Sequence, residues 1–279
     1  MKIIADSTRL LRVCGAAAKN ISNKVALPIL ENFLIEVAPI GGIYITAANT
    51  DDVSRYLMED VHVEGIEGDG RFCISSNQLL SILKVLPQQP VEITVSGSTA
   101  TIRWGGGQGS ANIPVYDADE YPEAVVPQEQ SATIPLENLR YAMSNVAFAA
   151  VENELRPVMG GMLMDFACNR LVCVASDGHR LVKAVVPDVA TAVEHAEFVL
   201  PCRSKNVINA FTDEVRRADT EAVVTITWNE RKAALSANGH TVMMALPAEG
   251  RYPNYNSVIP QAGTMSADVD RDAFMGAIR

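Results

Sequence analysis

The chain has 279 residues, of which 48% are hydrophobic, 20% charged and 6% aromatic, enough for two ordinary domains with sizeable cores. No run approaches the roughly 18 uninterrupted apolar residues of a membrane-spanning helix, and the opening MKIIADSTRLL meets Asp6 before a signal-like stretch develops, so a cytoplasmic chain with no membrane partner is expected. The formal charge of −10 argues by itself against binding a polyphosphate, and five cysteines without a CxxC pair and four histidines without HxH or HxxxH spacing suggest neither a disulfide framework nor a metal, and no cofactor is expected.

In chain order, the first pattern is helical: Leu10, Val13, Ala17 and Ile21 form an apolar stripe at spacings of three and four, while Arg9, Arg12 and Lys19 share another side. The segments 25–37 (VALPILENFLIEV), 43–49 (IYITAAN) and 70–83 (GRFCISSNQLLSIL) follow, the last of them overlapping a helical window at 71–90. VEITVSGSTATIRW alternates Val91, Ile93 and Val95, then Ala100, Ile102 and Trp104, around a Ser-Gly-Ser turn, which predicts an antiparallel hairpin. WGGGQG at 104–109 lacks the Lys-Ser/Thr ending of a phosphate loop and leads into the strand SANIPVY, so a hairpin loop is expected there. DEYPEAVVPQ then reads as an extended linker, since proline fixes its own φ and keeps its predecessor out of the helical region.

The second half repeats the first. LVCVASD at 171–177 matches IYITAAN, ELRPVMGGMLMDF at 154–166 matches 25–37, AEFVLPCRSKNVIN at 196–209 matches 70–83, and VVTITWNERKAALSA repeats the hairpin. GRYPNYNSVIPQ closes the second unit as DEYPEAVVPQ closes the first. The expected domains are 1–127, 128–260 and an incomplete third unit at 261–279, where ADVDRDAFMGAIR resembles the start of the other two; the chain reads as a fragment of a three-unit protein. Each unit is α+β, with two helices packed on antiparallel sheets.

Charge is segregated along the chain. Residues 7–24, 71–90, 138–151 and 201–212 contain Arg9, Arg12, Lys19, Lys24, Lys84, Arg140, Arg203 and Lys205 and no acid at all. Helices from these windows on one common surface would make it positive and leave the remainder negative.

The stretch ASDGHRLV (175–182) gathers Ser176, Asp177, His179 and Arg180 within five positions. The first unit has ANTDDV where the second has SDGHRL, so the fold does not require His179 or Arg180, and a grafted binding function is expected. The alternative is a hydrolase using Asp177 and His179, although a serine three residues from its histidine in a tight turn has poor triad geometry.

The tandem units, LPIL at 27–30, DGHRL at 177–181 and the Tyr-Pro linkers resemble the bacterial DNA polymerase III beta subunit family, the sliding clamps, along the whole chain. The resemblance implies clamp-type domains, a homodimeric ring around duplex DNA with helices inside and sheets outside, and no catalysis. It implies a peptide groove for short linear motifs of the replicative polymerase and clamp loader, lined by Met159, Ser176, Gly178, His179, Arg180, Leu181, Pro253 and Val258. It adds Lys24 and Asn153 to the bases above as phosphate contacts. Ser257 stands where some family members carry arginine.

Overall fold

The computed structural model describes residues 1–22, 27–66, 69–152, 155–167, 169–248, 250–260 and 267–278. The first half runs β1 (Lys2–Asp6), α1 (Ser7–Ala17), β2 (Asn32–Val37), β3 (Ile43–Ala48), β4 (Asp52–Met58), β5 (His62–Glu64), β6 (Arg71–Ser75), α2 (Ser76–Val85), β7 (Pro90–Ser96), β8 (Thr99–Trp104) and β9 (Gly109–Tyr116). The second half gives the same order: β10 (Gln130–Pro135), α3 (Leu136–Asn145), β11 (Gly161–Ala167), β12 (Arg170–Ser176), β13 (Leu181–Val186), β14 (Ala190–Thr191), β15 (His195–Pro201), α4 (Lys205–Ala218), β16 (Val223–Trp228), β17 (Lys232–Ala237) and β18 (His240–Ala245). A last helix, α5 (Arg271–Ile278), is exposed along its length.

Local chemistry explains the boundaries. The Asp6 carboxylate accepts the Arg9 N–H at 2.9 Å and starts α1, and Ser75 caps α2. Asn238 and Gly239, at φ 49° and 75°, form a two-residue turn between β17 and β18, and a Cβ at Gly239 would come within 2.5 Å of the Leu57 side chain. The Gly-rich segment after Trp104 is a short turn, Gly105–Gly107, leading into β9, as the missing Lys-Ser/Thr ending indicates.

Strand period separates the main core from two smaller clusters. Phe33 and Ile35 of β2 join the main core with Leu10, Val13 and Ala17 of α1, whereas Leu34 between them faces a smaller cluster with Leu30, Cys73, Ala118 and Tyr121. β11 does the same: Met162, Met164 and Phe166 join the main core, and Leu163 joins Val172, Val174 and Val199 beneath Tyr252 and Tyr255. The ring of Phe166 stacks on that of Trp228 at 4.8 Å. Among the described cysteines all are free, and burial pushes the Cys173 thiol up to about 12; Cys168 lies outside the described residues. Among the described residues no group of side chains could hold a metal, and no helix is long and apolar enough to cross a membrane.

The two halves are joined by main chain. β18 pairs with β4 (Thr241 with Arg55, Val242 with Ser54, Met243 with Val53, Met244 with Asp52), which makes one fourteen-stranded sheet, while β13-β12-β11-β15 forms a separate sheet. The helices pack in a row, α2 against α1, α1 against α4 and α4 against α3. Buried polar groups tie this seam: Asp52 accepts from Ser204 Oγ at 2.9 Å and from Ala245 N–H at 3.3 Å, and His240 Nδ1 accepts the Leu57 N–H at 3.1 Å.

Burial, aided by the Arg12 and Arg9 cations, lowers the pKa of His240 to about 4. The unfolded chain therefore takes up a proton near pH 6.5 that the folded chain refuses, and the stability linked to this group is complete above that pH and lost as pH falls toward 4, a loss of up to about 3 kcal/mol. Urea unfolding at pH 7 and pH 4.5 tests this: His240→Asn, whose amide oxygen can still accept from Leu57, is expected to show a smaller acid-induced loss than the parent.

Candidate functional site

The hairpin between β12 and β13 is closed by the residues that suggested chemistry. Ser176 Oγ donates to the Arg180 carbonyl at 2.8 Å and accepts the Gly178 N–H at 3.1 Å. One oxygen of Asp177 accepts the N–H groups of His179 and Arg180, both at 2.9 Å, and the other pairs with Arg180 Nε at 2.9 Å. The two N–H bonds hold the Asp177 carboxyl below the usual range. Neither Ser176 nor Asp177 contacts the His179 imidazole, so no nucleophile–base–acid chain exists and the hydrolase alternative has no geometry. Gly178 sits at φ +88° with open space where a Cβ would be, so its reason is the turn and not the close backbone approach that a binding role would suggest.

Met159, from the short turn Pro157–Met159, stands beside this hairpin, and the Tyr-Pro linker runs along β13. Together they enclose a cleft of about 800 Å³ whose wall includes Met159, Ser176, Gly178, His179, Arg180, Leu181, Pro253 and Val258, all eight of the expected groove residues. Lys183, Val185, Tyr252 and Tyr255 also line it. The first two follow from strand period, since 181, 183 and 185 share one face of β13. The Lys183 ammonium lies 5.0 Å from the centre of the Tyr255 ring, and the Arg180 guanidinium 5.5 Å from that of Phe148. Ser257 points elsewhere and donates to the Asn254 carbonyl at 2.7 Å. A second cleft of about 570 Å³, lined by Val151, Leu155 and Arg156, continues past Met159 and His179.

The basic helical row differs from expectation. α4 continues to Ala218 and carries Asp213 and Glu214, and α3 begins early enough to include Glu137, so these helices are not free of acids. The acids take up most of the arginines. Arg12 Nε pairs with buried Glu214 at 3.1 Å across the seam, and Arg140 bonds Asp213 at 2.7 Å. Arg9 pairs with Asp60, and Arg203 donates to the Ala245 carbonyl at 3.1 Å beside Asp51 and Asp52. Among the described residues Lys19, Lys84 and Lys205 carry no ion pair. Lys24 and Asn153 lie outside the described residues.

A twice-repeated α+β unit with its helices in one row and a peptide-sized cleft on a separate sheet defines the sliding-clamp class of replication proteins. Residues 1–126 match the family model of the DNA polymerase III beta subunit, N-terminal domain, and residues 133–254 that of its central domain. The beta sliding clamp of Bacillus subtilis is 27% identical over 287 aligned residues, spanning 100% of this chain and 73% of the relative. The crystal structure of the Thermotoga maritima DNA polymerase III beta subunit is 27% identical with a TM-score of 0.77, covering 93% of this chain and 68% of that one. That of the Helicobacter pylori beta clamp bound to a DNA ligase peptide has the same fold, with a TM-score of 0.80 at 20% identity over 94% of this chain and 70% of that one. The chain belongs to the DNA polymerase III beta subunit family, whose members are non-catalytic processivity subunits.

Gly178→Ala is expected to cost about 1 kcal/mol in urea unfolding, because alanine must adopt the left-handed region there. Gly178→Asn should cost less, since asparagine tolerates that region.

Proposed function

We propose that this chain is a DNA sliding clamp whose cleft between β13, the Met159 turn and the linker segment 252–260 seats short linear motifs of the replicative polymerase, the clamp loader and other DNA-processing proteins. The clamp works in the cytoplasm, and copies assemble as a homodimeric ring around duplex DNA. The observation that carries the peptide reading is the convergence of three separated segments, at 159, 176–181 and 253–258, on one cleft. Its floor is apolar and its charged side chains, Arg180 and Lys183, are basic, which suits an extended segment with aliphatic anchors and a polar or acidic flank. Met159 adapts to different anchors. The chain divides at its Tyr-Pro linkers, into units 1–127 and 128–260.

A short peptide with a glutamine followed by aliphatic and aromatic residues is expected to bind, and Leu181→Asp with Pro253→Ala to weaken it at least tenfold by calorimetry. Unchanged affinity moves the site elsewhere.

On the helical row, phosphate contact falls first to Lys19, Lys84 and Lys205, which no acid among the described residues pairs with, and by family resemblance to Lys24 and Asn153. Arg9, Arg12, Arg140 and Arg203 contribute less while their acid partners hold them. Duplex binding is expected to be sequence-independent, its salt slope falling by about 0.9 per phosphate contact removed in Lys→Glu variants. Asp213→Asn, which removes the shorter of the two ion pairs that hold Arg140, is expected to tighten it. Salt-insensitive binding overturns this assignment.

A further inference from the structure

The two units correspond strand by strand, and the correspondence extends to the cleft. In the first unit Thr46 lies between Leu34 and Arg55 in the sheet; in the second Val174 lies between Leu163 and Lys183. Val53 faces Ala48 as Leu181 faces Ser176, and Tyr121-Pro122 occupies the place of Tyr252-Pro253. At that place the first unit also has a cleft, of about 540 Å³, whose wall includes Val53, Arg55, Tyr121 and Pro122. β18 closes its far side with Thr241 and Met243.

An independent feature points to a ligand. Thr46, only 5% exposed, has a hydroxyl with no hydrogen-bond partner among the described residues, and the neighbouring Arg55 Nε is likewise buried and unpaired among them. A buried polar group without a partner is costly, and the fold does not ask for one here, because the second unit places fully buried Val174 at the same position. The rest of the Arg55 guanidinium is fixed, 3.8 Å over the Tyr44 ring and 3.3 Å from Glu36, so Nε is held in position and not free to swing into water.

The charges distinguish this cleft from its counterpart. Arg55 is paired with Glu36 and Arg71 with Asp119, which leaves the exposed Glu123 on the rim with no ion pair among the described residues. Among the described residues, none that lines the second unit's cleft is acidic.

We infer that the first-unit cleft is a second peptide site, taking an extended segment of a partner protein with an aliphatic anchor, an amide side chain for Thr46 and Arg55, and a basic flank for Glu123. The inference rests on the reading of the second unit's cleft as a peptide seat, from which it borrows the binding mode; its occupant differs in charge.

Fluorescence anisotropy of the full chain with two labelled peptides tests it. Both carry a Gln-Leu-Ala-Leu centre, one flanked by lysines and the other by glutamates. The lysine-flanked peptide is expected to bind about tenfold more weakly to Thr46→Val and to Arg55→Ala, and equally to Leu181→Asp. The glutamate-flanked peptide should respond only to Leu181→Asp. Thr46→Val is also expected to raise the thermal midpoint, since it removes an unpaired hydroxyl, so lost binding cannot come from lost folding. The inference is overturned if the lysine-flanked peptide fails to bind the parent chain, or loses binding in Leu181→Asp and not in Thr46→Val. A lysine-flanked peptide that keeps its Thr46 dependence while the glutamate-flanked one ignores Leu181→Asp supports the first cleft and removes the peptide reading of the second.

Discussion

The antiparallel pairing of β4 with β18 is the constraint on which the remaining geometry depends. Without it each half would present an open strand edge, and unpaired N–H and C=O groups on such an edge invite association with other chains. With it, two units share one sheet, and the helices behind that sheet have no choice but to lie in one row. Register there is fixed by more than the ladder. A slip of one residue would turn every side chain of β18 to the other face, withdraw Asp52 from Ser204, and take His240 away from the Leu57 N–H.

The same seam shows where a chain of charge −10 sets acids among the arginines of its helical row. Glu214 is buried, and burial raises its pKa against the pull of Arg12 and Arg217. It serves α1 and α4 as a tie that holds Arg12. Arginine forks locked to carboxylates make poor mobile contacts. Unpaired lysines on long flexible stems suit phosphate contact without register, which is what a protein that must move along a duplex requires.

Much of this was legible in the sequence. The repeats, the strand and helix order and the Tyr-Pro segments are written in local patterns of period two and 3.6, which chain neighbours determine. That Met159, Leu181 and Pro253 line one cleft is suggested by family resemblance alone, because they are far apart in the chain and no periodicity connects them. Lys183 and Val185 could have been found from the alternation of β13. The ion pairs were not legible. An acid-free window ending at 212 hides Asp213 and Glu214 immediately after it on the same helix, and no local pattern says that Glu214 meets Arg12, 202 residues earlier in the chain. Asn238-Gly239 is itself a hairpin signal, since both residues accept the positive φ that a two-residue turn requires.

Repetition also shows how one turn came to have two uses. Asn49 in the first unit accepts the N–H groups of Asp51 and Asp52, both at 2.8 Å, and Asp177 in the second accepts those of His179 and Arg180 in the same way. The side-chain cap that closes the hairpin is therefore common to both, and it leaves the two residues after it free to differ. In the first unit β18 arrives beside this hairpin, and Asp52 is buried in the joint between the halves. In the second, β13 pairs with β12 alone among the described strands, and His179 and Arg180 stand exposed at the mouth of a cleft. The same backbone is a joint where a neighbouring strand covers it and an exposed cleft wall where none does, so the difference between ANTDDV and SDGHRL reflects what lies next to each hairpin and not how each hairpin is built.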